Sequence, residues 1–118
     1  MNLQREIIFT DKAASPGGAY SQAIKVGPLV FTAGMSANHP KTKELIAPGD
    51  IATQTAKTLD NLQSVLKAAG TSLENAIKVN AYIHDIKEWG KFNEAYMKYF
   101  PKQPPVRTTI AVGNFPEG

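Results

Sequence analysis

The chain has 118 residues, 42% hydrophobic and 19% charged, a balance that suits one globular domain and excludes a disordered tract. It contains no cysteine, which excludes a disulfide framework, a thiolate metal site, an iron–sulfur cluster and a cysteine nucleophile. Thirteen Lys+Arg against ten Asp+Glu leave +3, but the lysines are scattered from Lys12 to Lys102, which argues against a nucleic-acid partner.

Glu6 to Thr10 is short, apolar and partly β-branched, and predicts a first strand. Ser15-Pro16-Gly17-Gly18 forces a loop, because proline fixes φ and glycine tolerates positive φ. Tyr20–Val26 and Leu29–Ala33 predict two further strands joined at Gly27-Pro28, and the polar stretch from Met35 to Gly49 is loop chemistry. Asp50 is a good N-cap for an amphipathic helix carrying Ile51, Thr55, Leu59, Leu62, Leu66 and Ala69, and Gly70 suits its C-terminal stop. Ile77, Val79, Ala81 and Ile83 alternate with polar residues, the pattern of a half-buried strand. A second helix from about Glu88 carries Trp89, Phe92, Tyr96, Tyr99 and Phe100 on one stripe and ends before Pro101, Pro104 and Pro105. Val106 to Val112 closes as a strand with Arg107, Thr109 and Ala111 on one face.

The order βββαβαβ predicts a single α+β domain over residues 1–118, a two-layer sandwich with two helices on one sheet face. Its other sheet face is left bare, and self-association would cover it. Without a stretch of the roughly 20 apolar residues that span a bilayer, no membrane partner is expected. The location expected is cytoplasmic, or mitochondrial if the source is eukaryotic.

Arg107 stands out as one of two arginines in a lysine-rich chain. Its planar fork binds carboxylates through two parallel hydrogen bonds, which lysine cannot reproduce; the alternative is an ordinary edge-strand arginine in water. His39 and His84 are the two histidines, either an acid–base pair of ribonuclease type or a turn residue and a strand-end cap. No His/Asp/Glu spacing suits a metal. The Ser15–Gln22 stretch lacks the phosphate-loop pattern, although Tyr20 at its end can project into a pocket. The aromatic stripe of the second helix reads as core.

Three segments are specific in combination: Gly18-Ala19-Tyr20-Ser21-Gln22-Ala23, then Phe92-Asn93-Glu94-Ala95-Tyr96 with Tyr99-Phe100, then Pro104-Pro105-Val106-Arg107-Thr108-Thr109. With Val30–Gly34, the Asp50–Gly70 helix and Lys78-Val79-Asn80 they resemble, over nearly the whole chain, the RidA (YjgF) family of reactive-intermediate deaminases. The resemblance implies a chorismate-mutase-like fold assembled as a homotrimer around a central barrel, with clefts between subunits. It implies hydrolysis of small 2-imino acids to 2-oxo acids and ammonia, without cofactor or metal. By the same resemblance Arg107 clamps the substrate carboxylate, Thr109 faces the imine nitrogen through its backbone, Tyr20 and Asn93 stand at the cleft, and Gly34 lines it. Tyr20 and Arg107 are the candidate catalytic residues.

Two departures bear on activity. Ala33-Gly34-Met35 stands where the family often has Ser-Gly-Gln, removing a hydroxyl and an amide from the cleft. The sequence stops at Pro116-Glu117-Gly118, before the family's last strand and its water-orienting glutamate, for which Glu117 is no equivalent. The expectations are therefore one absent strand and reduced turnover. The competing readings are a trimer that binds small carboxylates without turnover, and a ribonuclease or translation inhibitor.

Overall fold

A computed structural model describes residues 3–116; Glu117 and Gly118 lie outside that range. Three short β-branched segments form an antiparallel meander, β1 (Arg5–Ile8), β2 (Ala23–Val26) and β3 (Leu29–Thr32). The turn between β2 and β3 is as tight as Gly27-Pro28 predicts, with Gly27 at φ 55° and Val26 paired to Leu29. Relative to the sequence pattern β1 begins one residue earlier and ends two earlier, β2 begins three residues later, and β3 ends one residue earlier.

Helix α1 (Ile51–Ala68) begins where Asp50 caps it: the Thr53 N–H donates to Asp50 Oδ1 at 3.2 Å, and Thr53 Oγ1 to Oδ2 at 2.7 Å. It ends where Gly70 adopts φ 85° and the Thr71 N–H returns to the Leu66 carbonyl at 2.9 Å. After a 3-10 turn, β4 (Lys78–Ile83) leads through a second short turn into α2 (Trp89–Met97) and back to β5 (Val106–Ala111). β4 and β5 are parallel, with Val79 opposite Arg107 and Ala81 opposite Thr109.

The strands form two hydrogen-bonded groups, β1-β2-β3 and β4-β5, and α1 packs on both. Its Leu59 joins Ile83, Phe92, Tyr96 and Phe100 in one apolar cluster, while Val65 and Ala69 join Ile8 and Ala23 in another. This is the expected arrangement of two helices on one side of the strands.

The opposite side is apolar and uncovered. Ile7 pairs with Ile24, which pairs with Phe31, so the three share a face; Ile7 is 55% and Phe31 61% exposed. Tyr82, Val106 and Ile110 extend this character on β4 and β5, where all three are exposed. Ile77 is a correction to the sequence reading, which placed it inward: it is exposed, because the strand begins only at Lys78 and Ile77 serves through its carbonyl, which accepts the Val106 N–H at 3.1 Å. Among the described residues, no helix is long and apolar enough to cross a membrane.

Candidate functional site

Arg107 leaves β5 on the helix-facing side, in register with the inward Val79. Its guanidinium carbon lies 4.5 Å from the ring centroid of Tyr96, 5.4 Å from Phe92 and 5.6 Å from Trp89. Ring contact stabilises the charge without consuming N–H donors, so the fork stays available to a ligand. The stripe that reads as core in the sequence therefore does two jobs: Phe92, Tyr96 and Phe100 are buried in the cluster, and three of its rings cradle Arg107. Sequence reasoning missed this second role. The available signal was the pairing of the β5 arginine with an i, i+3, i+7 aromatic series, but only the tertiary fold sets the two against each other.

Among the described residues, two buried hydroxyl groups in this part of the molecule lack a partner in full hydrogen-bond geometry. Tyr96 is 5% exposed and its hydroxyl has no hydrogen-bond partner. Burial pushes its pKa above the usual phenol value, while the nearby Arg107 charge pulls it back. Thr109, two residues beyond Arg107 on the same face of β5, is half-buried with Oγ1 unpartnered. Asn93 is half-buried on α2, and its Nδ2 lies 3.6 Å from Met97 Sδ.

Tyr20 and Gly34 belong to a different place. With Ser15, Gln22, Met35 and Ser36 they line a cavity of about 160 Å³. The Tyr20 hydroxyl accepts the Gly17 N–H at 3.1 Å, and its ring is exposed. Gln22 builds the wall: its Oε1 accepts the Thr10 N–H at 2.8 Å, and its Nε2 donates to the carbonyls of Thr10 at 3.1 Å and Ala14 at 2.9 Å. Asn61 on α1 pins the opposite loop by donating to the carbonyls of Ser36 and Asn38, both at 3.0 Å. A Cβ added at Gly34 would meet no atom within 4 Å.

The five residues singled out by resemblance thus fall into two groups on one chain, Tyr20 with Gly34 in the cavity and Arg107 with Thr109 and Asn93 on the α2–β5 side. A larger groove of about 550 Å³ between Asp60, Leu73 and Tyr99 includes none of them. His39 is a turn residue, its Nδ1 accepting the Lys41 and Thr42 N–H groups at 3.1 and 3.2 Å; His84 is exposed at the end of β4.

Comparison with known proteins agrees with this fold. The sequence profile of the family described as Endoribonuclease L-PSP matches residues 10–118. A RutC family protein of Pyrococcus abyssi is 41% identical over 115 residues, 98% of this chain and 90% of the relative. The rat 2-iminobutanoate/2-iminopropanoate deaminase is 36% identical over 117 residues, 99% of this chain and 85% of the relative. Among solved structures, RidA from an Antarctic Psychrobacter superposes with a TM-score of 0.91 at 33% identity, covering 96% of this chain and 90% of that one. Escherichia coli TdcF with bound serine gives 0.89 at 31% identity, covering 95% and 89%. The chain belongs to the Endoribonuclease L-PSP family, which is the family of the RidA (YjgF) proteins.

Proposed function

We propose that the protein hydrolyses small 2-imino acids to 2-oxo acids and ammonia in clefts between the subunits of a homotrimer. The observation that carries this reading is the presentation of Arg107, a guanidinium steadied by three rings. A 2-imino acid offers a carboxylate to that fork. Held there, its protonated imine carbon is electrophilic: a water oxygen adds to it and passes one proton to the nitrogen, the C–N bond then breaks as the remaining hydroxyl proton is lost to solvent, and the nitrogen leaves as ammonia while the carbon becomes a ketone. Positioning and stabilisation of charge supply most of what such a reaction needs. The deaminase name of the rat relative and the serine bound in the TdcF structure agree with a small-carboxylate site.

The separation of the two residue groups supports assembly. Tyr20 and Gly34 line one cavity while Arg107 and Thr109 stand elsewhere on the chain. The bare apolar strand face bearing Ile7, Phe31 and Ile110 supplies the surface by which subunits associate. A trimer would then unite the Tyr20 group of one subunit with the Arg107 group of its neighbour. The protein acts in the cytoplasm on this reading.

The test is ammonia release from freshly generated 2-iminobutanoate or 2-iminopropanoate. Release above the spontaneous rate, abolished by Arg107→Ala, is expected. Release at the spontaneous rate together with 2-oxo acid binding would favour the non-catalytic carboxylate-binding trimer, for which Ala33 and Met35 beside Gly34 are the sequence grounds. The ribonuclease reading draws no support from His39, which is engaged in its own turn.

A further inference from the structure

The column of rings that runs along α2 and onto Phe100 just past its end poses a problem at its middle member. Tyr96 stacks between Phe92, at a centroid distance of 5.5 Å, and Phe100, at 4.6 Å. Both neighbours are phenylalanines, and a third phenylalanine would fill the same space. The hydroxyl instead sits buried with no partner in full hydrogen-bond geometry among the described residues, an arrangement that costs stability and calls for a reason.

Arg107 supplies the reason. Its guanidinium is nearer to Tyr96 than to either other ring, and its charge, together with a hydrogen-bonding approach to the phenol oxygen, opposes the rise in the phenol pKa, although the pair falls short of full hydrogen-bond geometry. Ring contact fixes where the centre of charge lies, but not how the guanidinium plane is rolled about its axis. A carboxylate needs two N–H groups on one edge of that plane, so the roll decides whether the fork faces the ligand. One fixed acceptor on another edge would set it. A phenol oxygen is such an acceptor, and with an ordinary pKa near 10 that burial raises further it is protonated and uncharged at neutral pH.

We propose that Tyr96 is the positioning residue of the carboxylate site: its ring holds the Arg107 guanidinium, and its hydroxyl oxygen accepts a guanidinium N–H when a carboxylate takes the opposite edge. This rests on the reading of Arg107 as the carboxylate clamp. Because the atom is buried, Tyr96 acts through Arg107 and does not touch the ligand.

The test measures 2-oxobutanoate affinity by calorimetry, with thermal melting as the structural control, on Tyr96→Phe, Tyr96→Leu, Arg107→Lys and the double variant Tyr96→Phe/Arg107→Lys. Tyr96→Phe should melt at or above the wild-type temperature and bind about three- to tenfold more weakly, the scale of one hydrogen bond. Tyr96→Leu, lacking ring and hydroxyl, should bind as poorly as Arg107→Lys. In the Arg107→Lys background Tyr96→Phe should change nothing, since an ammonium has no plane to roll. Wild-type affinity in Tyr96→Phe beside weak binding in Arg107→Lys would overturn this inference and leave the clamp standing; undiminished binding in Arg107→Lys would overturn the clamp itself. A readout independent of mutant folding is nitrogen NMR of the Arg107 side chain in the wild type. Saturating 2-oxobutanoate should resolve its N–H groups, and signals still averaged by rotation would refute the proposal.

Discussion

Gln22, just before β2, and Arg107, on β5, are both polar side chains drawn out of full exposure, yet the chain treats them differently. Gln22 is 1% exposed and spends its amide on three hydrogen bonds to residues 10–14. Arg107 is half-buried, held by ring faces, with the hydroxyls of Tyr96 and Thr109 left unbonded nearby. A polar side chain whose bonding capacity is used up by its own chain is structural. One whose position is fixed while its donors stay unspent is prepared for something from outside. Burial by itself would have ranked the two the other way round.

The comparison can be broken at several points. Gln22→Leu removes three hydrogen bonds and strands the Thr10 N–H and two carbonyls in a closed site, so it should destabilise the protein by about 2–4 kcal/mol. Chemical denaturation would measure this, and a loss under 0.5 kcal/mol would mean water replaces the amide freely. Phe31→Asp should leave each folded chain intact, because the ring is exposed, while abolishing a trimer of three times 12.8 kDa. Light scattering reads that outcome, and a wild-type monomer at micromolar concentration would remove the inter-subunit cleft.

Gly34→Ala meets no steric obstacle within the chain. It should leave thermal stability nearly unchanged while weakening 2-oxo acid binding if a ligand or a neighbouring subunit comes close to this backbone. Equal affinity would release Gly34 from the site. The smallest effect concerns Tyr99, whose hydroxyl donates to Asp60 Oδ1 at 2.8 Å and whose pKa is pushed up to about 12, by burial first and by the Asp60 contact next. The folded state favours the protonated phenol, so this contribution is complete below pH 10 and is lost as pH rises from about 10 to 12. Denaturation of the wild type should show a shallow decline over that window that Tyr99→Phe lacks.

Local chemistry made much of the fold legible in advance. Asp50 and Gly70 mark the ends of α1 because capping is a property of the residues themselves. Gly27-Pro28 marks the β2–β3 turn, and alternation on β5 separates Arg107 and Thr109 from Val106 and Ile110. What stayed hidden depends on contacts distant in sequence. Nothing local says that Tyr96 will lie under a guanidinium from β5, that Gln22 will bond residues 8 and 12 positions away, or that Ile77 will stop short of the pleat. The family resemblance identified Tyr20, Gly34, Asn93, Arg107 and Thr109, yet the split of these residues between two places on one chain emerged only in three dimensions.

The measurement that bears most directly on the account is the affinity of the wild type and of Arg107→Lys for pyruvate and 2-oxobutanoate, compared by calorimetry at equal thermal stability. Lysine keeps the charge and loses the fork, so affinity should fall by roughly tenfold or more, the scale of a charge-assisted bidentate contact. Equal affinities in the two proteins would contradict the assignment of Arg107 as the carboxylate clamp.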